Sequence, residues 1–548
     1  MEEWHTGGPC TSHYLAELRS NIQARDRIKA AILLSYFPTL APPLQQRVLF
    51  ELSRDTSDFV VDLLGHLLAN LTLIGSIESA VRLVLIEKII DQPTTLLTLL
   101  TCPEYKDKMV FIELAGELQM EAAVPCLMTM LQYETDRHVL STLVTTLGNI
   151  GHPAATNALA DYLYADTQAL VKAAVQSLAH IATPTAVQRL AERMGTDREL
   201  DCLILDAFAT TQDSLALTKL NEALRSHHAG LRNHAKTLLH RLGPKVVPLL
   251  LENLRYPDDP DLLIHSLNVL GAIEDGSAAT PIRKLLHNEP HDANVRFAAY
   301  EALGLLPLHK GAFMLAEGLA DPVEHVRIAA ARAIERHANE IILAGIKNLL
   351  AQDDTQARHT VVALLQAEAD ALVMHLIDDA TFQHIAVSYL GTAAHPDLCR
   401  HFDKLLRQHG YSAIANRLHL GERSPQATGH GLIYAVDDSR MMLKIYQHSL
   451  HQLGFTAVLF EFPTSALEQM CQVKPDVLLT DLNMPEMTGI ELTTRLRTRY
   501  TPEQLPIIMV TTQQDQPAQD AAYGAGVSAM LPKPFTVEQL DTVLQRFV

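Results

Sequence analysis

The chain has 548 residues, of which 48 % are hydrophobic but only 5 % aromatic, and it carries a net charge of −19. That length exceeds what one hydrophobic core supports, so at least two domains are expected, and the shortage of aromatic residues suggests helices packed through Ala and Leu. Gly431–Val548 holds 13 acidic and 8 basic residues, a net −5 that leaves −14 for the part before it, so neither part offers the basic footprint of a nucleic-acid binder.

Nothing at the start of the chain suggests export. Met1-Glu2-Glu3 is acidic where a secretory signal would be basic. The uncharged run Leu63 to Ile77 is too short and too polar to span a bilayer. The six cysteines are dispersed without a C-x-x-C pair, which suits free thiols in a reducing compartment. These features predict a cytoplasmic protein with no membrane insertion. There are 26 histidines, but pairs such as His227-His228 lack complementary ligands and read as solvated or capping residues.

In chain order, residues before about 110 are strongly helical, as in Phe59–Leu73 and Ile77–Ile90, but their spacing drifts, which suits a degenerate cap. From about 110 to 410 a phrase of the form Leu/Ala-Gly-x-Leu/Ile recurs. It starts at Ala115, Leu147, Leu178, Phe208, Leu239, Leu270, Leu303, Ile334, Leu365 and Leu390, so successive starts lie 30 to 33 residues apart, with a last interval of 25. A unit near thirty-one residues holds two short helices and two turns. In Val326–Ile334, Val326, Ala329, Ala330, Ala333 and Ile334 form one apolar face, and Ile341–Leu350 supplies a second. Asp and Pro punctuate the joints, as in Ala320-Asp321-Pro322 and Gly151-His152-Pro153. Small residues in the phrase would let paired helices approach closely, and since no unit buries its face alone, neighbours are expected to stack into a curved rod.

This pattern resembles the short form of HEAT-like repeats, and the resemblance implies an all-α solenoid over residues 1–420 that binds another protein. The shortened last unit is expected to close the array near His395–Gly410. Short HEAT-like arrays also resemble those of bilin lyases, which implies a chromophore-handling enzyme as a second class; no particular Cys, His or acid supports it. A helical-repeat DNA repair enzyme is a third class, and it should offer a basic groove, the opposite of the charge found. Residues 421–431, rich in Gly, Pro and polar side chains, read as an interdomain linker.

The remaining stretch, 432–548, has five short apolar runs at 432–436, 456–460, 476–480, 506–510 and 527–531, alternating with helical segments. The first ends in Asp437-Asp438, the third in Asp481 within Thr480-Asp481-Leu482-Asn483-Met484-Pro485-Glu486-Met487-Thr488-Gly489, the fourth in Thr511-Thr512, and the last leads to Lys533-Pro534-Phe535. Adjacent carboxylates repel, which raises a pKa or recruits a cation, and Mg²⁺ takes hard oxygen ligands beside phosphate and water. Asp437, Asp438 and Asp481 therefore read as a Mg²⁺ cradle. Read by itself, the Asp437-Asp438 pair would equally cap the helix starting near Ser439.

The five features together resemble the receiver domain of two-component response regulators, including the single-domain chemotaxis receiver. The resemblance implies an α/β flavodoxin-like fold with parallel strand order 2-1-3-4-5 and the acidic site at the carboxyl ends of the strands. It implies that Asp481 accepts a phosphoryl group from a histidine kinase or phosphotransfer protein. Mg²⁺ would be held by the Asp438 and Asp481 side chains and the Asn483 main-chain carbonyl, with Asp437 assisting. Lys533 would pair with the phosphoryl oxygens, Thr511 would hydrogen-bond to one of them, and the Lys533-Pro534 bond would be cis. The family usually has an aromatic three residues before the lysine, at the switch position paired with Thr511; Met530 stands there, flexible but able to fill the same space. Phosphorylation would then shift the surface around Gln513, Met530 and Phe535. The expected function is a response regulator, a signalling protein that catalyses only its own phosphoryl transfer and dephosphorylation, with the solenoid as protein-protein output. A docking module or phosphate sink on a constitutive scaffold is the alternative.

Overall fold

The recurring phrase marks the same helix in every repeat of a computed structural model. These helices are Lys108–Glu117, Arg137–Ile150, Gln168–Ile181, Arg198–Thr211, Ala229–Leu242, Pro260–Ile273, Ala293–Leu305, Glu324–Arg336, Asp354–Gln366 and Ala380–Thr392, and each phrase falls in its helix's C-terminal half. The structure describes residues 9–55, 57–70, 76–102, 107–195, 197–226, 228–256, 258–308, 312–351, 354–392, 394–418, 431–470, 472–484, 487–511, 516–533 and 535–548. The expectations at Met1–Glu3, His227, the linker residues 421–430, Pro485, Glu486, Thr512, Gln513, and Pro534 with its cis bond lie outside them. Two compact units, Met1–Ala216 and Leu217–Val548, divide the chain.

In the first unit the acidic and glycine punctuation does what its chemistry allows. Asp136 caps Arg137–Ile150 by accepting from the His138 and Val139 N–H groups, and Gly151 ends that helix in the left-handed region at φ 74°. The small residues of the phrase serve contacts between phrase-bearing helices of successive repeats. A Cβ on Gly148 would lie 2.4 Å from the Ser177 Cβ, so the two helices meet at that glycine, and the Ser177 hydroxyl donates to the Val144 carbonyl at 3.0 Å. Ahead of the repeats, helices Asp58–Asn70 and Ser76–Asp91 replace the expected 59–73 and 77–90; residues 71–75 lie outside those described.

In the second unit the repeats continue, and helical structure runs past the expected end at Gly410 through Ser412–Ala415 to Leu418. The rest of this unit is a five-stranded parallel sheet of order β2-β1-β3-β4-β5. Its strands are β1 Leu432–Val436, β2 Thr456–Phe460, β3 Val477–Asp481, β4 Ile507–Thr511 and β5 Ala529–Pro532. Helices α1 Arg440–Gln452, α2 Pro463–Met470, α3 Gly489–Arg497, α4 Gln516–Gly524 and α5 Val537–Leu544 connect and follow them. Alternate residues of each strand feed opposite layers. Ile433, Ala435, Leu479, Ile508 and Val510 meet Tyr446, Leu450, Leu540 and Leu544 of α1 and α5, while Tyr434, Leu478 and Ile507 meet Ala466, Leu492 and Leu496 of α2 and α3. A sheet covered on both faces explains why its strands read as unbroken apolar runs.

The last three strands start one to two residues later than the apolar runs. Pro506 has no N–H for the ladder, so β4 begins at Ile507. The same shift carries Asp481 into the last position of β3, paired with Val510.

Candidate phosphoacceptor site

Three acids, a lysine and a hydroxyl reach one end of the sheet because each follows or ends a strand. Asp437 and Asp438 follow β1, Asp481 ends β3, Thr511 ends β4 and Lys533 follows β5. Gly489 makes room for this arrangement: a Cβ there would sit 2.1 Å from the Asp481 carbonyl oxygen, so the start of α3 can close onto β3 only without a side chain. Thr488 and Glu491 form a capping box at that start, as Thr536 and Gln539 do for α5.

Lys533 joins the site. Its Nζ donates to Asp437 Oδ2 at 2.7 Å and to Asp481 Oδ1 at 2.8 Å, and its backbone N–H donates to the Thr511 carbonyl at 2.8 Å. Tyr446 donates to Asp437 Oδ2 at 3.3 Å, a contact without a motif in the sequence. Asn483 N–H donates to Asp481 Oδ2 at 3.0 Å. The helix-capping role falls to Ser439, whose side chain accepts from Met442 N–H; Asp437 Oδ1 only braces the turn, accepting from Ser439 N–H at 3.0 Å. Thr511 is fully buried. Met530 pairs with Met509 and packs against Leu482, Met509, Ala522 and Val527.

Burial pushes the Asp437 carboxyl up to about 7, with Lys533 opposing and Asp481 reinforcing the shift. Burial also raises Asp438, again with help from Asp481 and opposition from Lys533 and Lys236. For Lys533, burial pulls downward, but Asp437 and Asp481 overcome it and hold the ammonium well above its ordinary pKa.

The site opens into a cavity of about 150 Å³ whose lining includes Asp437, Asp438, Asp481, Asn483 and Lys533. Among the described residues no group of three or more His, Cys, Asp or Glu side chains converges on a metal position, and Lys533 Nζ stands between Asp437 and Asp481. The donor chemistry nevertheless fits a small hard cation, since three carboxylates and the Asn483 amide oxygens border one space.

Repeat residues line the same cavity, which the sequence reading did not anticipate. Arg232 Nη2 donates to Asn483 Oδ1 at 2.8 Å, Asn233 Nδ2 to the Met484 carbonyl at 3.1 Å and Asn294 Nδ2 to the Lys533 carbonyl at 2.7 Å. Of the repeat residues, Lys236, His265, Asn294 and Glu301 line the cavity, while Arg232 and Asn233 bond to the receiver beside it.

Comparison with known proteins agrees with this architecture. The family model described as response regulator receiver domain matches residues 433–545, and the one described as HEAT repeats matches 93–179 and 247–335. Over 115 residues the chain is 36 % identical to chemotaxis protein CheY1 of Helicobacter pylori, covering 21 % of this chain and 93 % of that protein. Over 118 residues it is 32 % identical to the DNA-binding transcriptional regulator NtrC of Escherichia coli, covering 22 % of this chain and 25 % of that protein. The chain thus spans about a quarter of the length of the NtrC relatives it matches. Among solved structures, Vibrio cholerae chemotaxis protein CheY4 is similar over 21 % of this chain and 98 % of its own, at 31 % identity and a TM-score of 0.21. The fold and site define a receiver joined to helical repeats. Through its C-terminal domain the chain belongs to the response regulator receiver family, with HEAT repeats preceding it. Among the described residues no helix is long and apolar enough to cross a membrane.

Proposed function

We propose that this protein is a cytoplasmic response regulator that takes a phosphoryl group onto Asp481 from a phosphohistidine of a kinase or phosphotransfer protein and transmits the change through its HEAT repeats to a protein partner. The observation that carries the reading is the Lys533 ammonium held at 2.7 Å and 2.8 Å between Asp437 and Asp481, beside the cavity shared with Asp438 and Asn483.

In the transfer, an Asp481 carboxylate oxygen forms a bond to phosphorus while the phosphorus–nitrogen bond breaks and its electron pair returns to the donor imidazole. Such a step depends on positioning and charge neutralisation more than on acid-base chemistry. Lys533 fixes the Asp481 carboxylate and neutralises oxygen charge, and Asn483 N–H orients the second oxygen. Thr511, at the end of β4, supplies a hydroxyl for a phosphoryl oxygen. Asp438, Asp481 and the Asn483 carbonyl would hold Mg²⁺, whose charge would offset that of the entering group. Asp437 supports from behind, both its oxygens already accepting hydrogen bonds from Ser439, Tyr446 and Lys533.

The full chain incubated with acetyl phosphate and Mg²⁺ should become covalently labelled, and Asp481→Asn should abolish the label; labelling that persists in that variant refutes the assignment. The hydrogen bonds from Arg232, Asn233 and Asn294 also suit a receiver that is a docking module or phosphate sink. The two readings part in a pull-down: the switch requires that Asp481→Ala change partner capture, the docking module that it does not.

A further inference from the structure

Four successive phrase-bearing helices contribute to the ceiling of the phosphoacceptor cavity: Lys236 comes from Ala229–Leu242, His265 and Asn268 from Pro260–Ile273, Glu301 from Ala293–Leu305 and His325 from Glu324–Arg336. Among the described residues, three of these side chains hold a polar atom without a partner: His265, Lys236 and, at Nε2, His325. His265 is only 6 % exposed, and its Nδ1 has no hydrogen-bond partner, an arrangement that costs free energy unless a ligand answers it. Among the described residues, none forms an ion pair or hydrogen bond with Lys236, although its charge is felt at Asp438. An ammonium and an imidazole waiting over a carboxylate cluster that already contains its own lysine are suited to an anion arriving between them.

We propose that the repeats supply the second half of an oxyanion pocket, in which Lys236 and His265 bind the phosphoryl group carried by Asp481 opposite Lys533. This inference rests on the phosphoacceptor reading above. The dimensions agree with it. One water needs ~10–15 Å³, so a cavity of about 150 Å³ accommodates a phosphoryl group with a hydrated cation. The rim hydrogen bonds from Arg232, Asn233 and Asn294 fix the ceiling to the two loops that carry Asn483 and Lys533. A phosphoryl group adds negative charge and acceptor oxygens where Lys236 stands unpaired, so modification tightens the hold of the repeats on the receiver and shields the aspartyl phosphate from water.

The test uses the full chain as wild type, Lys236→Gln and Lys236→Arg, labelled with acetyl phosphate and Mg²⁺, and measures the lifetime of the label together with beryllium fluoride affinity by titration calorimetry. Loss of one charge-assisted hydrogen bond predicts a roughly tenfold weaker beryllium fluoride complex and a shorter-lived label in Lys236→Gln, with most of both recovered in Lys236→Arg. The melting temperature without beryllium fluoride should not fall in either variant. If wild type takes no label, the phosphoacceptor reading itself fails. If wild type is labelled and Lys236→Gln matches it in lifetime and affinity, the composite pocket is refuted while the phosphoacceptor stands. Equal losses in Lys236→Gln and Lys236→Arg, accompanied by lowered melting temperatures, would mark a packing role and also overturn the proposal.

Discussion

Glu301 makes the stability of the second unit depend on pH in a direction that can be worked out in advance. The side chain lines the cavity from helix Ala293–Leu305. Burial raises its pKa from 4.5 to about 7; Arg332 opposes, Asp437 and Asp438 reinforce, and Lys533 opposes more weakly. Because the folded-state value lies above the unfolded one, the folded protein holds this proton more tightly, and the associated stability is present in full below pH 4.5 and lost as pH rises through 7. At 1.36 kcal/mol per pH unit the full effect is about 3 kcal/mol, and partial access of the side chain to water lowers the expectation to about 1–3 kcal/mol. Glu301→Gln keeps the shape of the protonated acid and removes the titration. Thermal melts of the full chain from pH 5 to pH 8.5 should therefore show the variant matching wild type at the acid end and exceeding it progressively toward pH 8. Asp437 titrates in the same range and repels Glu301 when both are charged, so the difference between the two curves reports Glu301 together with the part of the Asp437 titration that its charge shifts. A difference that stays constant with pH, or a wild type that is the more stable at pH 8, would refute the reasoning.

Two further outcomes follow from the packing and the site. Gly148→Ala, whose new Cβ would meet Ser177 at 2.4 Å, should destabilise by about 1–3 kcal/mol in a denaturant titration, whereas Gly230→Ala, with nothing within 4 Å of its Cβ, should gain up to about 1 kcal/mol from helix propensity. Asp438→Ala should weaken Mg²⁺ binding, read by calorimetry, more than Asp437→Ala does, because the Asp437 oxygens already serve Lys533, Tyr446 and Ser439.

The receiver was legible because its information is local. Each strand buried on both faces is a continuous apolar run, and each chemical residue sits at the end of one, so Asp437, Asp438, Asp481, Thr511 and Lys533 could be placed without any long-range knowledge. The repeats were legible for a related reason, since a small residue is needed wherever Gly148 meets Ser177 and its counterparts recur at the repeat length. The helices meeting at those residues proved to belong to successive repeats, a distinction that spacing does not carry. The ceiling of the cavity was invisible. Arg232 and Asn483 are 251 residues apart, and Asn294 and Lys533 are 239 apart, so no periodicity links them. Lys236, His265 and Glu301 look in the sequence like polar positions on the exposed edge of ordinary repeat helices. Tyr446 was hidden among the apolar residues of α1, where only its hydroxyl contact with Asp437 distinguishes it.

The direction of the response turns on a competition between distant and near charges. Gly431–Val548 carries −5 and the preceding residues −14, so at long range the receiver and the rest of the chain repel, and a phosphoryl group adds to that repulsion. At physiological ionic strength, however, exposed charges more than about 8 Å apart are largely screened, while the contacts of Arg232, Asn233 and Asn294 with the receiver, at 2.7 to 3.1 Å, are not. The nearest unpaired charge therefore decides the sign, and in the proposed pocket that charge is Lys236. Lys236→Glu should reverse it: beryllium fluoride with Mg²⁺ should slow hydrogen exchange around Arg232–Lys236 in wild type and accelerate it in the variant. Because beryllium fluoride needs only the receiver half of the site to bind, occupancy can be verified independently by fluorine resonance in both proteins. Equal exchange responses at equal occupancy would mean that the repeats do not sense the anion, and the coupling between the two parts of the chain would have to run elsewhere.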